Sequence, residues 1–115
     1  MLNNGEDTNI NFMRISRRLE QAEKAYRIDQ NSWGLGLTYN MLGELYSTKE
    51  ENFKLSVDFF HQAINHFEKC HHYRGCCTAA QNLTKICEKQ KLSQPSLVFQ
   101  DYEELYRRNK QLFNE

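Results

Sequence analysis

The feature that most constrains the fold of this 115-residue chain is an apolar pattern that recurs after 41 residues. When the sequence is shifted by that amount, Phe12 falls on Phe53 and Tyr26 falls on Phe67. The same shift pairs Leu19 with Phe60, Ala22 with Ala63, Gly34 with Gly75, Leu35 with Cys76, Leu42 with Leu83 and Leu45 with Ile86. Repetition at a fixed spacing is typical of a solenoid, in which each helix pair buries its apolar face against the next pair. A generic helical bundle has no reason to repeat in this way.

Apolar residues inside each period lie at helical spacing and predict helices rather than strands. The chain has one proline and five glycines, and few breakers favour long helices. The predicted helices cover residues 8–29, 33–47, 51–70, 74–90 and 96–113. Because the links between them are short, consecutive helices should be antiparallel neighbours. We therefore predict an all-α fold of five antiparallel helices.

A chain of this length corresponds to about one domain. We predict a single domain over residues 1–115 that contains about two and a half repeats. Residues 8–29 form a half repeat, 33–70 a full repeat, and 74–113 a repeat with an atypical last helix. The repeat pattern weakens in that last helix, where Asp101 takes the place of Phe60 and Leu19. Such a departure is typical of a terminal capping element.

Residues 34–75 resemble one tetratricopeptide repeat (TPR). In that family the first helix carries an aromatic residue, a Leu-Gly pair and a Tyr, and the second carries a small residue, an aromatic residue and Ala. The matching residues are Tyr39, Leu42, Gly43 and Tyr46 on the first helix and Ser56, Phe60 and Ala63 on the second. The next repeat departs from the pattern, with Thr84 in place of Gly and Cys87 in place of Tyr. The long period is similar to the repeats of kinesin light chains and Leu-Gly-Asn-type polarity adaptors.

The resemblance covers roughly residues 12–90 and implies a right-handed helical solenoid fragment. It also implies a concave groove, lined by the first helix of each repeat, that binds a peptide or partner protein. The groove positions are Leu37, Asn40, Met41, Glu44, Thr78, Gln81, Asn82 and Lys85. Amide side chains both donate and accept hydrogen bonds, which suits a peptide backbone. The alternative is that these residues form an ordinary polar surface.

We therefore expect a non-catalytic scaffold or adaptor with no cofactor and no catalytic residues. No Ser-His-Asp or Cys-His arrangement can be argued from the sequence, since nothing places a base beside a nucleophile. Three alternatives stay open: an enzyme or a regulatory domain of a larger enzyme or assembly, a zinc-stabilised helical module, and a homo-oligomeric helical bundle. Two and a half repeats is a short array. We therefore expect that the chain belongs to a longer array, or that a partner or a second copy covers one of its ends.

Cysteine and histidine cluster between Cys70 and Cys77, in the order Cys-His-His-Tyr-Arg-Gly-Cys-Cys. A structural zinc site needs four converging ligands, usually in spaced pairs that this segment lacks. His61 and His66 lie five residues apart, about 140° around a helix, and cannot act as an i, i+4 metal pair. We predict no metal, with Cys76 and Cys87 facing the core as small apolar residues.

The balanced charge of the chain argues against two classes of partner, nucleic acids and anionic membranes. The chain has 15 basic and 15 acidic residues, whereas proteins that bind nucleic acid or anionic membranes normally carry a basic excess. The short basic runs at 17–18 and 107–110 are interpreted as solvated helix faces with ion pairs such as Glu104–Arg108. An anionic partner at these runs is the alternative. No apolar run is long enough to span a bilayer, and Met1–Ile10 lacks a signal-peptide pattern, so we expect a cytoplasmic protein.

Overall fold

The computed structural model describes residues 4–89 together with residues 104, 107 and 108. Within residues 4–89 the chain is helical throughout apart from short links, and no strand occurs there. Its helices are α1 (Asn4–Ile28), α2 (Ser32–Tyr46), α3 (Phe53–Lys69) and α4 (Tyr73–Lys89), with a 3-10 turn at Glu50–Asn52. The first four predicted helices are therefore confirmed, although α1 begins four residues earlier than predicted. The predicted helix 96–113 lies outside the described residues, except for 104, 107 and 108, which are helical.

Consecutive helices run antiparallel, as the pairing of their residues shows. Gly36 of α2 faces Phe67 of α3, and Gly43, two turns further along α2, faces Phe60, two turns back along α3. The register between α1 and α2 follows the same rule. Gly34 faces Tyr26, and Tyr46 at the far end of α2 lies 3.2 Å from the Ser16 hydroxyl. Since α3 is antiparallel to both of its neighbours, α2 and α4 run in the same direction and contact each other.

The core combines aromatic residues, leucines, isoleucines and buried cysteines. Phe60, Phe67 and Ile64 of α3 are almost completely buried, as is Leu83 of α4. Fully burying one such side chain contributes roughly 1.5 to 3 kcal/mol to stability. Cys76 and Cys87, both on α4, are fully buried in the same cluster. The prediction that these two cysteines face the core is confirmed.

Four glycines of α2 and α4 lie directly against aromatic rings. A Cβ atom on Gly43 would lie 2.6 Å from the Phe60 ring, closer than side chains normally approach. The Phe67 ring lies against two glycines, Gly36 of α2 and Gly75 of α4. A larger residue at any of these positions would push the helices apart or displace a buried ring. Glycine therefore sets the distance between helices, at the cost of lower helix propensity.

The 41-residue repeat is also a repeat of backbone geometry at the ends of α1 and α3. Gln30 has φ 54° and His71 has φ 57°, so both adopt the left-handed conformation. After each, the next amide donates to the carbonyl five residues back: Asn31 to Tyr26 at 2.9 Å and His72 to Phe67 at 2.8 Å. This is the Schellman arrangement of a helix C-terminus. The two turns match bond for bond at positions 41 residues apart.

Substitution of Gly43 tests the contact between α2 and α3. Gly43→Ala raises helix propensity by about 1 kcal/mol, but the new methyl group meets a ring that is 1% exposed and cannot move aside. Overpacking typically costs about 1 to 3 kcal/mol, so we expect a net loss of stability in thermal and denaturant melts. Gly43→Leu and Ala63→Phe should each cost a few kcal/mol, since Ala63 is fully buried.

The same Gly43→Ala substitution is then made in a Phe60→Leu chain, which lacks the ring atoms that the new methyl group would meet. In that background Gly43→Ala should be neutral or stabilising, which gives a clear coupling between the two sites. If Gly43→Ala stabilises the wild-type chain as much as it stabilises the Phe60→Leu chain, Gly43 is not at a close contact.

The left-handed turn residues generate a second stability prediction. An L-residue in this conformation is strained by roughly 1 to 2 kcal/mol, and glycine relieves the strain at a smaller entropic cost. Gln30→Gly should therefore raise the free energy of unfolding by about 0.5 to 1 kcal/mol. Gln62→Gly, at an exposed position inside α3, is the control and should lower it by about 1 kcal/mol. A loss of stability with Gln30→Gly would contradict the turn geometry.

Candidate partner-binding surface

The eight predicted groove residues lie on two adjacent helices, and none of them is in the core. Glu44 and Met41 of α2 are exposed, and Met41 exposes 52% of its surface. Leu37 and Asn40 of α2 and Asn82 of α4 are half-buried, while Thr78, Gln81 and Lys85 of α4 are exposed. Each set has the i, i+3, i+4, i+7 spacing that places side chains on one helix face. We call these eight residues the α2–α4 surface.

A hydrogen-bonded amide connects the two halves of the α2–α4 surface. The Asn82 side-chain nitrogen donates to Asn40 Oδ1 at 3.2 Å and to Glu44 Oε1 at 3.1 Å. Asn40 in turn donates to the same Glu44 oxygen at 3.4 Å. The structure therefore brings three of the predicted residues together and joins α2 to α4 through them. Asn82 serves the fold as well as the surface, which the sequence did not reveal.

The other predicted residues are not joined to this cluster by any hydrogen bond in the described part of the chain. Thr78 donates to the Arg74 carbonyl one turn back on its own helix, at 3.0 Å. Leu37 packs against the hydrophobic core. Met41, Gln81 and Lys85 remain as exposed side chains of different chemistry, one apolar, one amide and one cationic.

Two residues extend the same surface by one turn and were missed by sequence reasoning. Trp33 of α2 exposes 49% of its surface, and its ring meets His72 edge-on with centroids 6.5 Å apart. Arg74 of α4 is exposed and lies 41 residues after Trp33. The repeat itself carried the signal, because Trp33 and Arg74 each stand four residues before a predicted groove residue. Tryptophan and arginine are the residue types that most often dominate binding energy at interfaces.

A second polar network holds α1 against α2. The Tyr39 hydroxyl donates to Glu23 Oε1 at 3.0 Å and accepts from Arg27 Nη2 at 2.5 Å. Glu23 and Arg27 also form an ion pair at 2.6 Å. Burial raises the pKa of Glu23, but the bonds from Arg27 and Tyr39 outweigh it and the pKa is lowered overall. Burial, and then the Glu23 carboxylate, raise the pKa of Tyr39. Tyr39 thus remains a neutral hydrogen-bond donor.

His66 of α3 lies at the rim of this network. Its ring stacks on Tyr39 with centroids 5.4 Å apart and an interplanar angle of 11°. Among the described residues, no hydrogen-bond partner reaches its buried Nδ1 atom. Burial lowers the pKa of His66, and the nearby cations Lys69 and Arg27 lower it further, against an opposite effect of Glu23. The neutral imidazole is therefore the form that packs against Tyr39.

The cysteine-rich segment forms no arranged metal site among the residues that the structure describes. Cys70 is exposed, Cys76, Cys77 and Cys87 are buried, and all four are free thiols. Burial raises the pKa of Cys76 to about 12 and also raises that of Cys87. A thiol that stays protonated at neutral pH is a poor nucleophile and a poor metal ligand. The expectation that the chain binds no metal stays a prediction.

Two further expectations concern charge and membranes. The predicted pair between Glu104 and Arg108 is confirmed, with 2.7 Å between Oε1 and Nη2. Of the helices that the structure describes, none combines the length and apolar character needed to cross a bilayer.

Comparison with protein-family models, with curated proteins and with solved structures gave no match for this chain. Any functional conclusion therefore rests on the residues and on their geometry.

The lowered pKa of His66 predicts a pH-dependent stability. The unfolded histidine, with its ordinary pKa near 6.5, binds a proton more readily than the folded one. The free energy of unfolding should therefore fall as the pH is lowered from 6.5 through the folded-state pKa, and level off below it. Glu23 adds a separate loss below pH 4.5, because its folded-state pKa is also lowered.

Denaturant melts between pH 7.5 and 5 measure the His66 contribution. His66→Gln should flatten the stability profile in this range, and His61→Gln, on the same helix, should leave it unchanged. If both variants keep the wild-type slope, His66 does not pack as a neutral ring.

Proposed function

We propose that this chain is a non-catalytic protein-interaction module of TPR type that binds a peptide segment of a partner along the α2–α4 surface. In this proposal the helices form part of a right-handed solenoid, and α2 and α4 are the first helices of successive repeats. The surface for the partner then consists of the eight predicted residues together with Trp33 and Arg74.

The repeated geometry supports the solenoid part of the proposal. The same Schellman turn and the same pairing of an aromatic ring with a glycine occur at both ends of one period: Tyr26 with Gly34 and Phe67 with Gly75. A solenoid is built by reusing one packing solution from repeat to repeat. The residue types at the two ring positions differ, since one is Tyr26 and the other Phe67, yet both rings make the same contact with a glycine. The repeat of this contact supports the solenoid more strongly than similarity of residue types alone.

The observation that carries the binding proposal is the Asn82 bridge between α2 and α4. It joins two parallel helices at one level and leaves exposed Met41 and Lys85 beside it. A surface that is already held in position loses little conformational entropy when a partner binds. Pre-organised surfaces with an apolar anchor and nearby polar groups are typical of peptide recognition.

The side chains indicate what kind of peptide would fit. Trp33 and Met41 offer an apolar strip along α2, and both are about half exposed. Arg74 and Lys85 place positive charge on the facing side of α4, while Glu44 is engaged by Asn82. We therefore infer a segment with one or two large apolar residues flanked by a carboxylate.

The chemistry of the described titratable groups supports a role without catalysis. Burial raises the pKa of Cys76 and of Cys87, which keeps both thiols protonated. A cysteine nucleophile reacts as the thiolate, so a raised pKa disfavours that role. The shifted groups Glu23, Tyr39 and His66 are packed in the joint between α1, α2 and α3. We also propose a cytoplasmic setting, which free thiols in the core support because reducing compartments preserve them.

A peptide-display selection on the immobilised 115-residue chain provides the binding test. We expect selected peptides to carry an apolar anchor with an acidic neighbour, and to bind the chain in fluorescence anisotropy. Trp33→Ala and Lys85→Glu should each weaken binding by about five- to a hundredfold, the range for losing a central interface side chain. Asn82→Ala should weaken binding and also lower the melting temperature, because it breaks the bridge between the helices.

Asp58→Lys and Lys54→Glu, exposed on α3, are matched controls with altered charge and should bind as the wild type does. Binding that survives both Trp33→Ala and Lys85→Glu, or that is lost equally in the α3 controls, would contradict the α2–α4 surface.

A further inference from the structure

The outward face of α1, opposite the face that packs on α2, is basic and apolar. Leu19 and Ser16 mark the buried face. At 3.6 residues per turn, the opposite side carries Ile10, Met13, Arg14, Arg17, Arg18 and Gln21. All six are exposed, with Ile10 at 55% and Met13 at 60%. We call these six residues the α1 outer face.

Positive charge on this face is not neutralised within the described part of the chain. The ion pairs described there are Glu23 with Arg27 and Glu104 with Arg108, and neither includes Arg14, Arg17 or Arg18. Both arginines of the run at 17–18 are exposed, as the interpretation as a solvated face predicts. Neither has a carboxylate at the i+4 position, because position 21 is Gln and position 22 is Ala. Glu20, the nearest carboxylate in sequence, stands at the i+3 position from Arg17 and lies about 90° away from the centre of the face.

The arginines also repel one another. Arg14 stands three and four residues before Arg17 and Arg18, so like charges occupy adjacent positions on one helix face. Such pairs destabilise an isolated helix by about 0.2 to 0.5 kcal/mol each. The chain has no net charge, so this basic patch is a local concentration rather than a general excess. A bound group with negative charge would relieve the repulsion.

We propose that the α1 outer face binds an acidic amphipathic helix of a partner protein. Guanidinium groups pair with carboxylates through two parallel hydrogen bonds, a geometry that suits Asp and Glu side chains. Ile10 and Met13 lie beside the arginines and supply the apolar contact, for which the flexible Met side chain is well adapted. A partner helix with carboxylates one turn apart and apolar residues between them matches both features.

The distribution of apolar residues favours a protein over a lipid surface. A helix that lies on a bilayer needs a continuous apolar side that enters the acyl region. On α1 that side is used inside the molecule, where Leu19 is buried against the core. On the opposite side, Ile10 and Met13 lie at one end of the arginine group and Ile28 lies beyond its other end, so the apolar surface is interrupted by charge. This surface is also separate from the α2–α4 surface, so its failure would not affect the function proposed above.

A designed probe tests the proposal with the 115-residue chain. The probe is a fluorescein-labelled, 20-residue helical peptide with Leu at every third or fourth position and Glu at the flanking positions. We expect saturable binding by anisotropy at 50 mM salt, with affinity that falls as salt is raised. Arg14→Glu combined with Arg18→Glu should weaken binding at least tenfold, and Met13→Ser should weaken it severalfold at unchanged salt dependence.

Two controls separate docking from simple charge attraction. Lys54→Glu combined with Lys69→Glu makes the same charge change on exposed positions of α3 and should leave the affinity within twofold. A peptide with Ser in place of Leu should bind at least tenfold more weakly than the probe. Circular dichroism should show that all variants remain folded.

Three outcomes would overturn the proposal. The first is equal affinity of the probe for the wild type and for the Arg14→Glu, Arg18→Glu chain. The second is arginine-dependent sedimentation with phosphatidylglycerol vesicles in the absence of probe binding, which would make the face a membrane contact. The third is a dimer in analytical ultracentrifugation that the same double variant dissociates, which would make a second copy the occupant.

Discussion

The packing of the Phe67 ring against Gly36 and Gly75 is the contact on which the rest of the structure depends. The ring comes from α3 and fills the space that a Cβ atom would need on both α2 and α4. Because the ring is 2% exposed and surrounded by a close-packed core, it cannot yield to a larger neighbour. One side chain thus sets the position of three helices. The equivalent ring one period earlier, Tyr26, packs on Gly34 and attaches α1 in the same way.

The position of the candidate binding surface follows from that packing. When α2 and α4 are held on either side of α3, Asn82 reaches both Asn40 and Glu44. The polar groups of the surface are therefore ordered by contacts made deep in the core. Next to Asn40 on α2, Tyr39 joins Glu23 and Arg27 and holds α1 in place. That attachment buries one face of α1 and leaves its arginine-rich face outward.

Much of this fold can be predicted from the sequence, because a fixed period of apolar residues specifies both the helices and their order. Apolar residues at helical spacing predicted the four helices that the structure describes, and the shift of 41 residues placed Cys76 and Cys87 in the core. The left-handed turns could not be predicted in the same way, since Gln30 and His71 are not the glycine or asparagine that usually marks such a position. Their conformation is imposed by packing on either side of the turn rather than by local preference.

The site was predicted less completely than the fold. The resemblance to a tetratricopeptide repeat predicted all eight groove residues outside the core, but it could not show that Asn82 bonds to α2, because that bond depends on the distance between two helices. Trp33 was not predicted, because it lies one turn before the first residue of the aligned repeat motif that faces the groove. The interpretation of Arg17 and Arg18 as a solvated face is confirmed, since both side chains are exposed, but charge balance over the whole chain did not reveal that arginines concentrate on one face of α1.

The most direct measurement of the central claim is a set of NMR contacts between the Phe67 ring and the two glycines. Selective labelling of phenylalanine rings and glycine α-carbons in the 115-residue chain isolates these signals. We expect nuclear Overhauser effects from the Phe67 ring protons to the α-protons of both Gly36 and Gly75, with those α-protons shifted upfield by the ring. Effects to only one of the two glycines, or to neither, would contradict the account that one ring positions α2 and α4.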